Sequence, residues 1–364
     1  MSNPSTAILD IPFGETPDPH EFLQAAMQWH FSPDTGSPFW LKHGESLDFD
    51  PRRDVKEFTD LSLFPNVTNE LRDVAVRDLI PQGYGPTPPI AGVFESGGTT
   101  GAPKRVVFLQ DWMDQMTATI STQLDAVGVP HDVDWLAITP TGPHGIGQFM
   151  GAVAALRGGI RFSIDMDPRW VKKLIADGKF DGARAYSAHL IEQSSYILQT
   201  QEIGVLVATP PLLAQIAEVE QLAELVRRQV KVILWGGTRF DPDTADILRT
   251  EVFPEIPLYG FFGNTMTLGS FTERIGDNDL CIFDPIAPWL SFRVVNPDTK
   301  EPVALGERGQ VVMNHVSKSF LLPNNLERDM ATRIQAPDGA VGDSIADVGP
   351  VVAFDNETVI EGVY

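Results

Sequence analysis

Ser96-Gly97-Gly98-Thr99-Thr100-Gly101-Ala102-Pro103-Lys104-Arg105 gathers the residue types that hold an anion. Glycines let a backbone turn tightly and bring its N–H groups up to a charged oxygen. Ser96, Thr99 and Thr100 add hydroxyls, and Lys104 with Arg105 adds positive charge to an otherwise acidic chain. The chemistry suited to that set is polyphosphate binding. The spacing is not that of the G-x-x-x-x-G-K-[ST] loop, since Lys104 does not follow a glycine and Arg105 stands where a Mg²⁺-binding hydroxyl is needed, so a P-loop NTPase is disfavoured. The spaced glycines of a dinucleotide fingerprint are also missing. On composition alone, a Gly/Thr turn with no ligand is the plain alternative.

The elements around this loop must hold it in place. Residues 90–94 and 106–109 are short apolar runs that read as strands on either side of it. Residues 110–127 follow, with Met113, Met116, Ile120, Leu124 and Val127 at helical spacing. Strands are then predicted at 135–139, 160–164, 205–208 and 230–235, alternating with helices at 148–156, 210–219 and around Leu222, Leu225 and Val226. Upstream, Asp18 and Pro19 open a helix over 17–31, and residues 82–89 carry linker chemistry. From residue 284 onward helices give way to β-like runs at 290–295, 310–314 and 351–354. The alternation predicts an α/β fold with helices packed on mixed sheets and a β-rich C-terminal module. The expected organisation is a helical or irregular cap over 1–90, α/β subdomains over 91–200 and 201–283, and the β-rich module over 284–364.

Composition narrows the function classes. The chain has 27 Lys+Arg against 49 Asp+Glu, a formal net charge of −22, and lacks the basic clusters that bind phosphate backbones, so no nucleic-acid partner is expected. One cysteine, Cys281, allows neither a disulfide framework nor a Cys-rich zinc site, and no metal-ligating set is assigned. The N-terminus has no basic or apolar leader, and the longest uncharged stretch, 135–156, is broken by Pro140, Pro143 and several glycines. No membrane partner and a cytoplasmic location are expected.

Further motifs follow in order. They are Thr139-Pro140-Thr141-Gly142-Pro143-His144-Gly145, Thr209-Pro210-Pro211, Trp235-Gly236-Gly237-Thr238, Phe262-Gly263-Asn264-Thr265-Met266, Gly306-Glu307-Arg308-Gly309-Gln310 and Arg328-Asp329. Together with Gly98-Thr99-Thr100-Gly101-x-Pro103-Lys104, this series over roughly residues 90 to 350 resembles the adenylate-forming superfamily of acyl-CoA synthetases, peptide-synthetase adenylation domains and luciferase. The C-terminal region is closer to its phenylacetate–CoA ligase branch, and the chain is similar to short adenylation proteins of phenazine antibiotic biosynthesis.

The resemblance implies the large N-terminal domain of that fold with the small C-terminal domain absent. It further implies that ATP and a carboxylic acid, aromatic in the phenazine case, form an acyl-adenylate and pyrophosphate. AMP would be a product-like ligand and Mg²⁺ the accompanying ion. CoA, an acyl-acceptor protein or a pathway enzyme would take the acyl group, and a homodimer is compatible with it.

Residue by residue, the resemblance assigns Ser96, Gly98, Thr99, Thr100, Gly101 and Lys104 to the β- and γ-phosphates, and Gly237 and Thr238 to adenine. Phe262 would stack on the base, with Phe261 as rival. Thr265 would serve the α-phosphate, and Thr265 with Lys104 is given the catalytic part. Asp329 would hold the ribose, with Asp343 as rival. His144, Trp235, Gly236 and Gly260 would border the acid pocket, where Tyr259-Gly260 is also a competing register for the Phe262-Gly263 pair. Met266 departs from the pattern, because the family carries a Mg²⁺-binding glutamate there and a thioether is a poor ligand for a hard ion. Glu273 and Glu95 are the substitutes considered. That departure keeps a second class open, a non-catalytic carrier of an aryl acid or acyl-adenylate.

Overall fold

The computed structural model describes residues 6–11, 14–96, 102–275, 280–350, 353–354 and 357–358. Three early helices, α1 (Pro19–Phe31), α2 (Pro38–Gly44) and α3 (Pro51–Asp54), each begin with proline behind a capping residue, Asp18, Ser37 or Asp50. Proline suits the first helical position because its missing N–H is an orphan there anyway. The chain then runs through β1 (Ile90–Glu95), β2 (Arg105–Leu109), α4 (Gln110–Ala126), β3 (Asp134–Ala137), α5 (Gly145–Leu156) and β4 (Arg161–Ser163). Next come α6 (Pro168–Ala176), α7 (Phe180–Thr200), β5 (Ile203–Ala208), α8 (Pro210–Glu218), α9 (Glu220–Gln229), β6 (Val232–Gly236), α10 (Pro242–Ile247) and β7 (Leu258–Asn264). The last part carries β8 (Gly269–Ile275), β9 (Cys281–Phe283), β10 (Leu290–Val295), β11 (Arg308–Val316), β12 (Leu321–Ile334) and β13 (Ser344–Pro350). The fold is α/β, and no helix among the described residues is long and apolar enough to cross a membrane. Of the expected strand over 351–354, Ala353–Phe354 is a strand and 351–352 lie outside the described residues.

Two compact units divide the chain: residues 1–96, 102–116 and 264–354 form the first, and 97–101, 117–263 and 355–364 the second. The second unit is built on a parallel sheet of order β4-β3-β5-β6-β7. Its β5 is buried along all its length, as expected of a parallel strand covered on both faces. Chain order reverses between β3 and β5, because β4 lies on one side of β3 and β5 on the other. The first unit carries an antiparallel sheet of order β10-β11-β12-β13-β9-β8 and the separate hairpin β1–β2.

A polar network sits in the core of the first unit. His315 Nδ1 donates to the Thr267 carbonyl at 2.6 Å, and the Ser317 hydroxyl donates to His315 Nε2 at 2.6 Å. His30 Nε2 donates to the Ser317 carbonyl at 2.7 Å. Both rings are almost wholly shielded from water, and burial pushes His30 down to about 4 and His315 to about 3. Unfolded histidines protonate near pH 6.5, so below that pH the unfolded chain binds protons that the folded chain refuses. The contribution of these two rings to stability is therefore complete above about pH 6.5. It is lost as pH falls toward about 4. Urea unfolding followed from pH 7.5 to 4.5 is expected to lose roughly 1 kcal/mol or more per pH unit through this pair. His315→Gln should flatten that slope; an unchanged slope would show that other groups govern the acid limit.

Candidate functional site

The hairpin of the first unit holds the loop predicted to bind phosphate. Glu95 pairs with Arg105 in the β1–β2 register, and Arg105 Nε donates to Glu95 Oε1 at 2.8 Å. One step further, Ser96 N–H donates to the Lys104 carbonyl at 3.0 Å, and Lys104 N–H donates to Ser96 Oγ at 3.1 Å. Ser96 and Lys104 thus face each other at the neck of the loop. Gly98, Thr99, Thr100 and Gly101 lie outside the described residues.

Thr265 sits in a tight turn over 264–268. Asn264 Oδ1 accepts Met266 N–H at 2.7 Å and Thr267 N–H at 3.3 Å, and Leu268 closes the turn with φ 51°. Trp112 Nε1 donates to the Leu268 carbonyl at 2.9 Å, while His315 holds the Thr267 carbonyl. The buried histidine network therefore fixes the turn that carries Thr265. Met266 is buried at 5% exposure, so its sulfur belongs to the core.

Asp329 lies on β12, half-buried, where the ladder is interrupted. Gln310 pairs with Met330 and Val312 with Leu326, so β12 spends four residue steps against two on β11. Such bulges redirect side chains out of the regular alternation. Gln310 Nε2 restores one bond by donating to the Glu327 carbonyl at 2.8 Å. The rival Asp343 is occupied: Arg333 Nε donates to its Oδ1 at 2.8 Å and Val294 N–H to its Oδ2 at 3.1 Å. Its role is to tie β10 to β12.

Between Asn325 and Asp329 stands Glu327, which sequence patterning missed. Its carboxyl is buried, accepts from Asn325 Nδ2, and is pushed up to about 7 by desolvation and by the Asp329 charge, with Lys104, Asn325 and Arg328 pulling the other way. Lys104 and Asp329, chosen independently from separate motifs, thus act on the same buried carboxyl. The one signal that could have found Glu327 is its i, i+2 relation to Asn325 and Asp329 along a strand.

In the second unit the predicted residues collect at one edge of the parallel sheet. His144 closes the loop after β3 as the residue before α5, Thr209 follows β5 as the residue before α8, and Gly237 with Thr238 follows β6. Parallel strands present their carboxyl ends on one side, where α/β sheets bind ligands, above all at a reversal of strand order. The reversal here lies between β3 and β5, under the loops that carry His144 and Thr209.

Trp235 pairs across β6–β7 with Gly260, and its ring meets Phe240 edge-on with centroids 4.9 Å apart. A Cβ on Gly236 would lie 2.6 Å from the Phe261 carbonyl, so only glycine lets the two strands approach there. Gly237 has φ 85°, the left-handed turn glycine adopts without strain. Phe261 is buried at 6% exposure and Phe262 is half-buried, on the face of β7 that also carries Leu258 and Gly260. Thr139 Oγ1 and Trp235 Nε1 are buried with no hydrogen-bond partner among the described residues. Leaving such groups unpaired costs on the order of 1–3 kcal/mol each.

Magnesium finds no dedicated set of ligands. Among the described residues no three His, Cys, Asp or Glu side chains gather as a metal group. Glu95 is engaged by Arg105, Glu273 is buried at 3% exposure on β8, and position 266 offers a core thioether. These residues do not fit a resident ion.

A family model described as AMP-binding enzyme matches residues 90–317. No curated protein matches the sequence. Among solved structures, 2-hydroxyisobutyryl-CoA ligase in an open conformation with 2-HIB-AMP and CoA is similar at a TM-score of 0.63 and 18% identity, covering 94% of this chain and 69% of that one. The same ligase in its thioesterification state gives a TM-score of 0.60 and 18% identity, covering 98% and 69%. At these identities the likeness is one of fold.

Proposed function

This chain belongs to the AMP-binding enzyme family, and we propose that it uses ATP to activate a carboxylic acid as an acyl-adenylate. A carboxylate oxygen attacks the α-phosphorus, the bond to the β-phosphate oxygen breaks, and pyrophosphate leaves with its electron pair. The protein's work in such a step is to orient two anions and to offset charge on phosphate oxygens. Ser96 and Lys104 at the loop neck, with Gly98, Thr99, Thr100 and Gly101, hold the β- and γ-phosphates. Thr265 serves the α-phosphate and Asp329 the ribose hydroxyls. Gly237, Thr238 and Phe262 hold adenine, and His144, Trp235, Gly236 and Gly260 border the acid.

The observation that carries this proposal is the gathering of three loops singled out in the sequence at the carboxyl edge of one parallel sheet, around its reversal of strand order. The aromatic edge formed by Trp235 and Phe240 favours an aromatic acid, and a phenazine carboxylic acid is the pathway-specific one to include. The similar ligase was solved with CoA, which makes CoA the first acceptor to try.

Thermal unfolding with ATP·Mg²⁺, AMP and GTP tests the nucleotide part without knowledge of the acid. A ligand at about 100 times its Kd adds roughly 2.7 kcal/mol to stability. ATP and AMP are expected to raise the transition and GTP to leave it in place. Lys104→Ala should weaken ATP about tenfold or more while sparing AMP, because only ATP carries the phosphates the ammonium meets. Equal loss for both nucleotides would remove Lys104 from that role.

A second reading, a non-catalytic acid or acyl-adenylate carrier, is favoured by the buried thioether at Met266. Binding of acid and AMP with no pyrophosphate exchange would select it.

A further inference from the structure

Four side chains of the first unit form a hydrogen-bonded line: Glu327, Asn325, Thr68 and Asn66. Thr68 Oγ1 lies 2.5 Å from Asn325 Oδ1 and 2.6 Å from Asn66 Oδ1, and one hydroxyl proton serves only one of them. Two consistent arrangements exist. With Glu327 ionised, Asn325 Nδ2 donates to the carboxylate, the Thr68 proton goes to Asn325, and Asn66 Oδ1 keeps the Thr68 N–H at 3.1 Å. With Glu327 neutral, its O–H donates to the amide oxygen of Asn325 turned by 180°, Asn325 donates to Thr68, and the Thr68 proton goes to Asn66. Each arrangement leaves the buried Asn325 and Thr68 with partners, so the line tolerates either charge on Glu327.

We propose that Glu327 is a positioning residue for the nucleotide site, taking up a proton and reversing this line when ATP binds, so that Asp329 stays the one charged carboxylate of the pair. The inference rests on the placement of Lys104 and Asp329 at ATP. The charged groups acting on Glu327 are Asp329 and Arg328 on its own strand and Lys104 at the loop neck. The other elements against it present uncharged groups: Gln310 from β11, whose Oε1 is in turn held by Lys300 Nζ at 3.2 Å, and Asn66 with Thr68 from the segment that continues to Arg72, where Nε donates to the Ala102 carbonyl.

When ATP draws the Lys104 charge to its phosphates, the carboxylate of Glu327 loses the cation that favoured its ionised form and gains anionic phosphates nearby. A proton from solvent on Glu327 removes that repulsion. Burial and the Asp329 charge push this carboxyl up to about 7, so a change in the charges around it alters its protonation near neutral pH. AMP, which lacks the phosphates assigned to Lys104, should drive the uptake less.

Calorimetric titration at pH 7, in two buffers of different ionisation enthalpy, counts protons exchanged on binding. Wild type is expected to take up more protons than Glu327→Gln when ATP binds, with a smaller difference for AMP. ATP binding with the same proton count in both proteins would overturn the inference while leaving the nucleotide site standing. No binding of either nucleotide to wild type would instead overturn the site itself and this inference with it. Should Glu327→Gln fail to fold, infrared difference spectra of wild type decide: a protonated carboxyl band gained with ATP supports the uptake, and its absence refutes it.

Discussion

Asp329→Ala is expected to weaken AMP and ATP alike by about 100-fold or more, and acid-dependent turnover by at least as much. A carboxylate holding two ribose hydroxyls makes two charge-assisted hydrogen bonds, each worth roughly 1.5–3 kcal/mol. Their joint loss exceeds the roughly 2.7 kcal/mol of a hundredfold change. The informative control is Asp343→Asn. It loosens the tie from β10 to β12 through Arg333 and the Val294 N–H, and should lower stability while leaving nucleotide affinity near wild type. A nucleotide lacking the 3′-hydroxyl should bind wild type more weakly and Asp329→Ala no differently from AMP. Undiminished affinity in Asp329→Ala, or a larger loss in Asp343→Asn, would move the ribose contact to the rival aspartate.

The largest expected effect on stability comes from Arg157. Its side chain is wholly shielded from water, and Nη1 donates to the Ser121 carbonyl at 2.8 Å, to Ser121 Oγ at 3.0 Å and to Asp125 Oδ1 at 2.8 Å. Nη2 donates to the Val129 carbonyl. The guanidinium thus satisfies backbone at the end of α4 from the residue that caps α5. Arg157→Leu leaves the Val129 carbonyl and the Ser121 hydroxyl without this partner, a loss of about 2–4 kcal/mol. Arg157→Lys should recover little, because a single ammonium cannot reproduce the planar fork. A shift of the urea transition by less than about 1 kcal/mol in Arg157→Leu would contradict this account of the region.

Much of the second unit was legible because its signals are local. The apolar runs of β3, β5 and β6 are short and bounded by turn residues, and α8 and α9 repeat at helical spacing. By contrast, α7 gave little pattern. Its buried face is Ser187, Leu190, Ile191, Ser194 and Leu198, with two serines where apolar residues would mark the period. Ser194 satisfies its hydroxyl locally by donating to the Leu190 carbonyl at 2.8 Å. The strand β12 hid for a related reason: Asn325 and Glu327 occupy inward positions, so hydrophobic alternation fails across the stretch that carries Asp329.

Motif order singled out Lys104 and Asp329 without any knowledge of β12. It could not supply the Glu327 line, since Thr68 meets Asn325 across more than 250 residues of chain. Nor could it supply the histidine network behind Thr265, where His30 reaches Ser317 from the first helix.

Acid-dependent exchange of labelled pyrophosphate into ATP tests the central claim most directly. Wild type with Mg²⁺ and a panel of aromatic and small hydroxy acids is expected to incorporate label with at least one acid, to show no incorporation without acid, and to lose incorporation in Asp329→Ala. Saturable binding of ATP with no exchange for any acid of the panel would contradict acid activation and leave the carrier as the function of this fold.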